Sequence, residues 1–196
     1  MQLRDLLIRN RSYRRFDENY RIDRSILTEL VELSRCCASA ANRQPLRFLI
    51  AGTPEETDDV FPHLHWAAGL TDWDGPEAGE RPSAYIIILR DASITGSCEF
   101  DVGIAAQSIL LGAVEQGLGG CMIGSIDQKS LRAALSIPNS LDIILVLAIG
   151  KPAETVVIDE LNADGDTSYW RDEDGIHHVP KRALADLLVQ PKPTNG

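Results

Sequence analysis

This 196-residue chain has no apolar run approaching the ~18 residues that cross a bilayer; its longest, residues 143–149 and 84–89, are of strand length. Four cysteines, Cys36, Cys37, Cys98 and Cys121, do not make a disulfide scaffold in a chain of this length. The first residues, Met-Gln-Leu-Arg-Asp, lack the apolar core of a signal peptide. A reduced, cytoplasmic protein is therefore expected. Positive charge is also scarce: 19 Lys+Arg stand against 29 Asp+Glu, a net charge of −10. That balance argues against nucleic acid or an anionic membrane as a partner of the whole molecule. Repeats, low-complexity tracts and an evident interdomain linker are missing too. With 44% hydrophobic and 24% charged residues, the chain reads as one globular domain over residues 1–196, neither disordered nor coiled coil.

What is present is unevenly placed. Residues 1–24 hold seven Arg and four acids and are locally +3, which leaves −13 for the remaining 172 residues. Arginine offers the planar fork that grips phosphate or carboxylate through two bonds. Leu6, Leu7, Ile8, Tyr13 and Phe16 interrupt the charge, so a basic nucleic-acid arm is disfavoured.

Periodicity supplies the elements. A short helix ends at Arg9, and Asp23 is a plausible N-cap for a helix to about Cys37 carrying Ile26, Leu27, Leu30 and Val31 at helical spacing. Residues 46–51, 84–90, 120–124 and 143–149 read as strands, two of them apolar on both faces. Residues 54–61 read as a short acidic helix, and 62–83, with two of the three Trp, as a long irregular loop. Residues 100–116 form a helix with one narrow polar stripe, Asp101, Ser108 and Glu115, which predicts a core helix continuing into a subunit interface. The Gly117–Gly120 run stops that helix. Ser125 and Gln128 predict a capping box for a helix to Leu135. Asp174-Gly175 predicts a hairpin turn into 176–179, and Lys181–Val189 a last helix. The mixture is α+β.

Three clusters carry chemistry. Arg11, Ser12 and Arg14 could face an anion. Ser39, Asn42 and Gln44 could meet the carbonyl and N–H edges of a heterocycle, with Pro45 expected to hold Gln44 extended. Lys181 and Arg182 form a second cationic site. A ligand with phosphate at one end and a polar aromatic ring at the other would use all three.

Together these residues resemble the nitroreductase family of FMN-dependent oxidoreductases. The resemblance rests on Arg11-x-x-Arg14 around Ser12, on Ser39-x-x-Asn42-x-Gln44-Pro45, and on Asp101-x-Gly103-x-Ala105-Ala106-Gln107. It continues through Gly117–Gly124 to Val179-Pro180-Lys181-Arg182, almost the whole chain. It implies a nitroreductase-like α+β fold, a central mixed or antiparallel sheet flanked by helices, in an intertwined homodimer. The segment from about 153 to 196 would extend over the partner. Two FMN sites would lie at the subunit interface. Arg11, Ser12, Arg14, Arg182 and Lys181 would hold the phosphate, and Ser39, Asn42 and Gln44, from the partner, the ribityl chain or ring. Met122, Ile123, Gly124 and Ser125 would pass beside the ring with backbone N–H groups toward its N5 and O4 edge. NAD(P)H would deliver hydride to N5, and a small-molecule electron acceptor, nitroaromatic or quinone, would follow in a ping-pong cycle. Dehalogenation, enone reduction, flavin fragmentation and a non-catalytic flavin-binding module are the alternatives. No amino-acid nucleophile or general base is expected.

The remaining candidates have simpler readings. Cys36-Cys37 ends an amphipathic helix and reads as core packing. His63-x-His65 and His177-His178 lack a third ligand at a recognisable spacing, so no metal is expected. Trp66 and Trp73 would either cap the substrate side of the ring or anchor their loop.

Overall fold

In the computed structural model, which describes residues 2–70 and 72–191, the chain runs α1 (Leu3–Arg9), α2 (Arg24–Arg35), β1 (Leu46–Ala51), α3 (Pro54–Val60), β2 (Ala84–Asp91), α4 (Glu99–Glu115) and β3 (Gly119–Ile123). It continues through α5 (Gln128–Ala134), β4 (Leu141–Gly150), β5 (Val156–Glu160), β6 (Trp170–Arg171), β7 (His177–Lys181) and α6 (Leu184–Leu187). The main sheet has the order β1-β2-β4-β3 and is antiparallel throughout.

The two continuous apolar runs are its middle strands, and their alternate residues feed two cores. Ile86, Ile88, Leu147 and Ile149 point to one face, against Leu27 and Leu30 of α2 and Val102, Ala106 and Ile109 of α4. Tyr85, Ile87, Leu89, Val146 and Ala148 point to the other, against Val60, Trp66 and Leu131. A strand covered on both sides by helices has no use for alternation, which is why these runs are apolar without a break.

The expected strands and the long helix are present, and the differences fall at ends and caps. Helix α5 opens on Asp127, whose carboxylate accepts the Ser130 N–H at 3.1 Å; Ser125 caps nothing, and its carbonyl instead accepts the His65 N–H. A true capping box stands at α3, where Thr53 and Glu56 exchange bonds. Only four residues of the 181–189 stretch are helical, because Lys181 still belongs to β7. Cys36 is exposed and Cys37 half-buried, its Sγ 3.0 Å from Ser108 Oγ, so the pair ends its helix as expected but is not core.

The glycine run does two jobs. Gly117, at φ +73°, supplies the left-handed turn that ends α4. Gly119 and Gly120 are strand residues, and there the need is space. A Cβ on Gly120 would strike the Ala148 carbonyl and Leu110, and one on Gly119 would strike Tyr13 and Pro152. The close approach lets residues 12–13 run along the free edge of β3, with a Ser12–Gly120 bridge and a Tyr13 N–H to Gly120 carbonyl bond of 3.0 Å.

A small second sheet, β5-β7-β6, follows the main one, with β5 parallel and β6 antiparallel to β7. The Asp174-Gly175 turn joins β6 to β7, with Gly175 at φ +76°. The last five residues of the segment expected to reach a partner, 192–196, lie outside the described residues.

Candidate functional site

Residues 12–17 are fixed by both sheets. Phe16, fully buried, packs on Gly150 and bridges Pro152, while the Asp17 N–H donates to the Lys151 carbonyl and the Ala153 N–H to the Arg15 carbonyl. Glu154 completes the tie. Its Oε1 accepts the backbone N–H groups of Arg14 and Arg15, and its Oε2 accepts from Arg171 Nη2 at 3.0 Å. With side-chain exposures of 2% for Glu154 and 13% for Arg171, this pair is buried, and both Glu154 oxygens are engaged.

Between this segment and β7 lies a cavity of about 300 Å³, lined by Asn10, Arg11, Ser12, Arg14, Tyr169, His177, Val179 and Lys181. Arg11, Ser12, Arg14 and Lys181, named from opposite ends of the sequence, therefore meet. Among the described residues none of Arg11, Arg14 and Lys181 is in an ion pair, although five other arginines are. Arg11 Nε is buried without a partner among those residues, and burial lowers the Arg11 pKa from its ordinary value. Three unpaired cations beside one exposed hydroxyl make a concave anion site, and its donor set fits a phosphate dianion. Arg182 does not line this cavity. It faces the neighbouring one, of about 700 Å³, with Asp159 and Glu160, while Lys181 borders both.

Tyr169 and His177 line the cavity although sequence reasoning gave neither a part in it. The Arg14 Cζ lies 5.0 Å from the Tyr169 ring centroid, and the Tyr169 and His177 rings are 5.3 Å apart. Arg14 Nη1 is 3.2 Å from His177 Nε2. No spacing signals this arrangement, because positions 14 and 177 are far apart in the chain and are brought together by tertiary contacts, Glu154 and the β5–β7 pairing among them.

The Ser39–Gln44 loop sits elsewhere, on a second cavity of about 380 Å³ that shares no lining residue with the first and lies between α2, β1 and α4. Asp101, the first residue of the supposed polar stripe, is buried and accepts the Ala40 N–H at 3.2 Å, so it anchors this loop instead of facing water. Ser39 Oγ accepts the Gln44 N–H at 2.9 Å, and Gln44 Nε2 donates to Asn42 Oδ1 at 3.1 Å. Gln44 is not extended: Ala41, Asn42 and Gln44 all have φ near +51 to +52°. Three non-glycine residues in the left-handed region in one loop are strain of the kind that gathers at binding sites. Pro45 restricts ψ of its predecessor more than φ, and the internal hydrogen bonds fix the rest.

At the end of β3, Met122 is exposed and Ile123 buried, and Gly124 and Ser125 are exposed. A Cβ on Gly124 would meet nothing within 4 Å, so the chain itself leaves open space there. Cys121 is buried, which pushes its thiol pKa up. Trp66 is buried against Phe61, and Trp73 lies under the Arg171 guanidinium at 4.4 Å, so both tryptophans anchor their loop.

Comparison with known proteins follows the same lines. Residues 8–151 match the nitroreductase family. A protein of Methanothermobacter thermautotrophicus, provisionally named an NADH dehydrogenase/NAD(P)H nitroreductase, is 26% identical over 161 residues, 79% of each chain. A provisionally named nitroreductase from Desulfovibrio desulfuricans, solved in complex with FMN, superposes with a TM-score of 0.69 at 23% identity over 97% of both chains. A nitroreductase family protein of Clostridium difficile 630 gives 0.68 at 16% identity, covering 96% of this chain and 98% of that one. At these identities the structural likeness is one of fold.

Proposed function

The chain belongs to the nitroreductase family, and from that membership we infer that it is an FMN-dependent oxidoreductase using NAD(P)H to reduce nitroaromatics, quinones or similar electron-poor small molecules. The observation that carries this reading is the gathering of Arg11, Arg14 and Lys181, unpaired among the described residues, around Ser12 in one cavity. A chain with ten more negative than positive charges does not leave three cations together and unneutralised without a ligand to meet them.

In this reading Arg11, Ser12, Arg14 and Lys181 hold the FMN phosphate, with Arg182 beside them at the next cavity. Met122, Ile123, Gly124 and Ser125 lie along the ring, where open space at Gly124 favours a close approach of backbone. When bound, FMN supplies the redox chemistry, accepting hydride from NAD(P)H and delivering reducing equivalents to the acceptor. The chain contributes position, charge and shelter from water, and no side chain is assigned as nucleophile or general base.

The partner is a second copy of the chain. Ser39, Asn42 and Gln44 do not share a cavity with the phosphate cradle of their own subunit, and a homodimer would deliver them to the other. Apolar side chains support this: Phe100 and Ile104 of α4 are 78% and 41% exposed, and Leu184, Leu187, Leu188 and Val189 project from the C-terminal segment at 60–91%. Residues 154–181 are tied to Arg14 and Arg15 of their own subunit, so within the segment expected to extend over the partner it is the apolar stretch 184–189 that would cross. The test is direct. Purified protein should be yellow with flavin absorbance and should oxidise NADH or NADPH when a nitroaromatic is added. A colourless preparation that fails to bind added FMN would sink the reading.

A further inference from the structure

His177 is 1% exposed, yet it borders the cradle, and its Nε2 lies 3.2 Å from Arg14 Nη1. A guanidinium has donors only, so Nε2 must offer its lone pair, and the ring proton sits on Nδ1. We propose that His177 is a positioning residue of the anion cradle, a buried neutral acceptor that aims the Arg14 guanidinium without neutralising it. The proposal rests on the FMN-phosphate reading above and adds to it a residue beyond the 8–151 family match.

A carboxylate is the usual partner of an arginine, but at this place it would compete with the ligand for the same donors. A neutral imidazole takes one N–H of Arg14 and leaves its positive charge whole. The surroundings keep the ring neutral. Arg14 lines the cavity beside it, Glu154 is bonded to both Arg14 and Arg171, His178 follows it on β7, and burial together with these cations pushes the His177 pKa down to about 4. The acceptor is also rigid. The His177 N–H donates to the Thr155 carbonyl at 2.9 Å, and β7 is paired on both sides. Tyr169 closes the arrangement, its ring against both the guanidinium and the imidazole. One group is left unspent: His177 Nδ1 is buried and has no partner among the described residues.

The experiment compares FMN with riboflavin, which lacks the phosphate, by fluorescence titration of the full-length protein. Wild type should prefer FMN; equal affinity for the two would sink the phosphate reading itself and the proposal with it. His177→Met should lower FMN affinity about tenfold, the scale of one charge-assisted hydrogen bond, and leave riboflavin affinity unchanged. His177→Gln, whose Oε1 can accept from Arg14, should restore most of the preference. In an Arg14→Ala background, His177→Met should have no further effect, since the residue acts through Arg14. Equal loss of both flavins, no loss of either, or a further loss in the Arg14→Ala background would each overturn the proposal. Should His177→Met fail to fold, Tyr169→Leu removes the other wall of the guanidinium and carries the same expectation for the FMN-to-riboflavin ratio.

Discussion

Glu154 ties the two ends of the chain together. One oxygen receives the backbone of Arg14 and Arg15, and the other receives Arg171 from β6. Removing it strands a nearly buried guanidinium and two backbone donors at once. Glu154→Ala should therefore cost about 3 kcal/mol of folding stability, read from urea denaturation, where breaking a solvent-screened surface pair such as Arg35–Glu32 should barely move the curve. Arg14 belongs to the ligand instead. Arg14→Ala should leave the fold intact and weaken FMN by about 1.5–3 kcal/mol, roughly 10- to 150-fold, in a binding titration. Unchanged FMN affinity in that variant would remove Arg14 from the site.

At the scale of elements, β7 carries two adjacent histidines that face opposite ways and titrate in opposite directions. His178 stacks under Trp170, 4.1 Å between centroids, with Nδ1 2.7 Å from Asp159 Oδ2 on β5 and Nε2 3.3 Å from Asp172 Oδ2 beyond β6. Partial burial alone would lower its pKa, but the two carboxylates outweigh that and raise it above the ordinary value. Both bonds need both ring protons, so the imidazolium staples the three strands. Its folded pKa is raised, so this stabilisation is complete below the unfolded value of about 6.5 and is lost as pH rises through the folded one. His177, held neutral down to about 4, does the reverse: between about 4 and 6.5 the unfolded chain binds the extra proton and stability falls as pH drops. Histidine NMR titrations should show one ring titrating above 6.5 and its neighbour silent until about pH 4. A His178→Gln variant should flatten the alkaline side of the stability curve; an unchanged curve would show that the staple is not ionic. On β3, Gly120→Ala should destabilise by about 1–3 kcal/mol in thermal unfolding, since the added methyl meets backbone at Ala148 that cannot move aside.

For the whole molecule, the apolar surface of α4 and of the C-terminal segment is the feature that the single chain does not account for. Light scattering should give a dimer. Phe100→Asp, at a position 78% exposed in the single chain, should leave the protomer folded but yield a monomer. It should also release flavin, because each site would lose the Ser39–Gln44 loop of the other subunit. A dimer that survives this change would place the interface elsewhere.

Much of this was legible in the sequence for physical reasons that act locally. Apolar runs at 84–89 and 143–149 read as strands covered on both faces, and spacing along 24–35 as a helix with one buried side, and both are found. Glycine at 117 and 175 is demanded by backbone conformation alone. The Arg11, Ser12, Arg14 and Lys181 set was recognisable as chemistry suited to an anion before any distance was known. What needed the tertiary structure were contacts between residues far apart in the chain. Asp101, read as part of a polar helix stripe, became the anchor of the 39–44 loop, Ser125 lost its cap to Asp127, and Gln44 took a left-handed conformation held by Ser39 and Asn42. Arg182 was turned to the neighbouring cavity, with Lys181 bordering both, and His177 and Tyr169 were brought to Arg14. Periodicity and turn chemistry act over a few residues and can be read directly. Burial, and which charge is left without a partner, depend on contacts that only folding brings about.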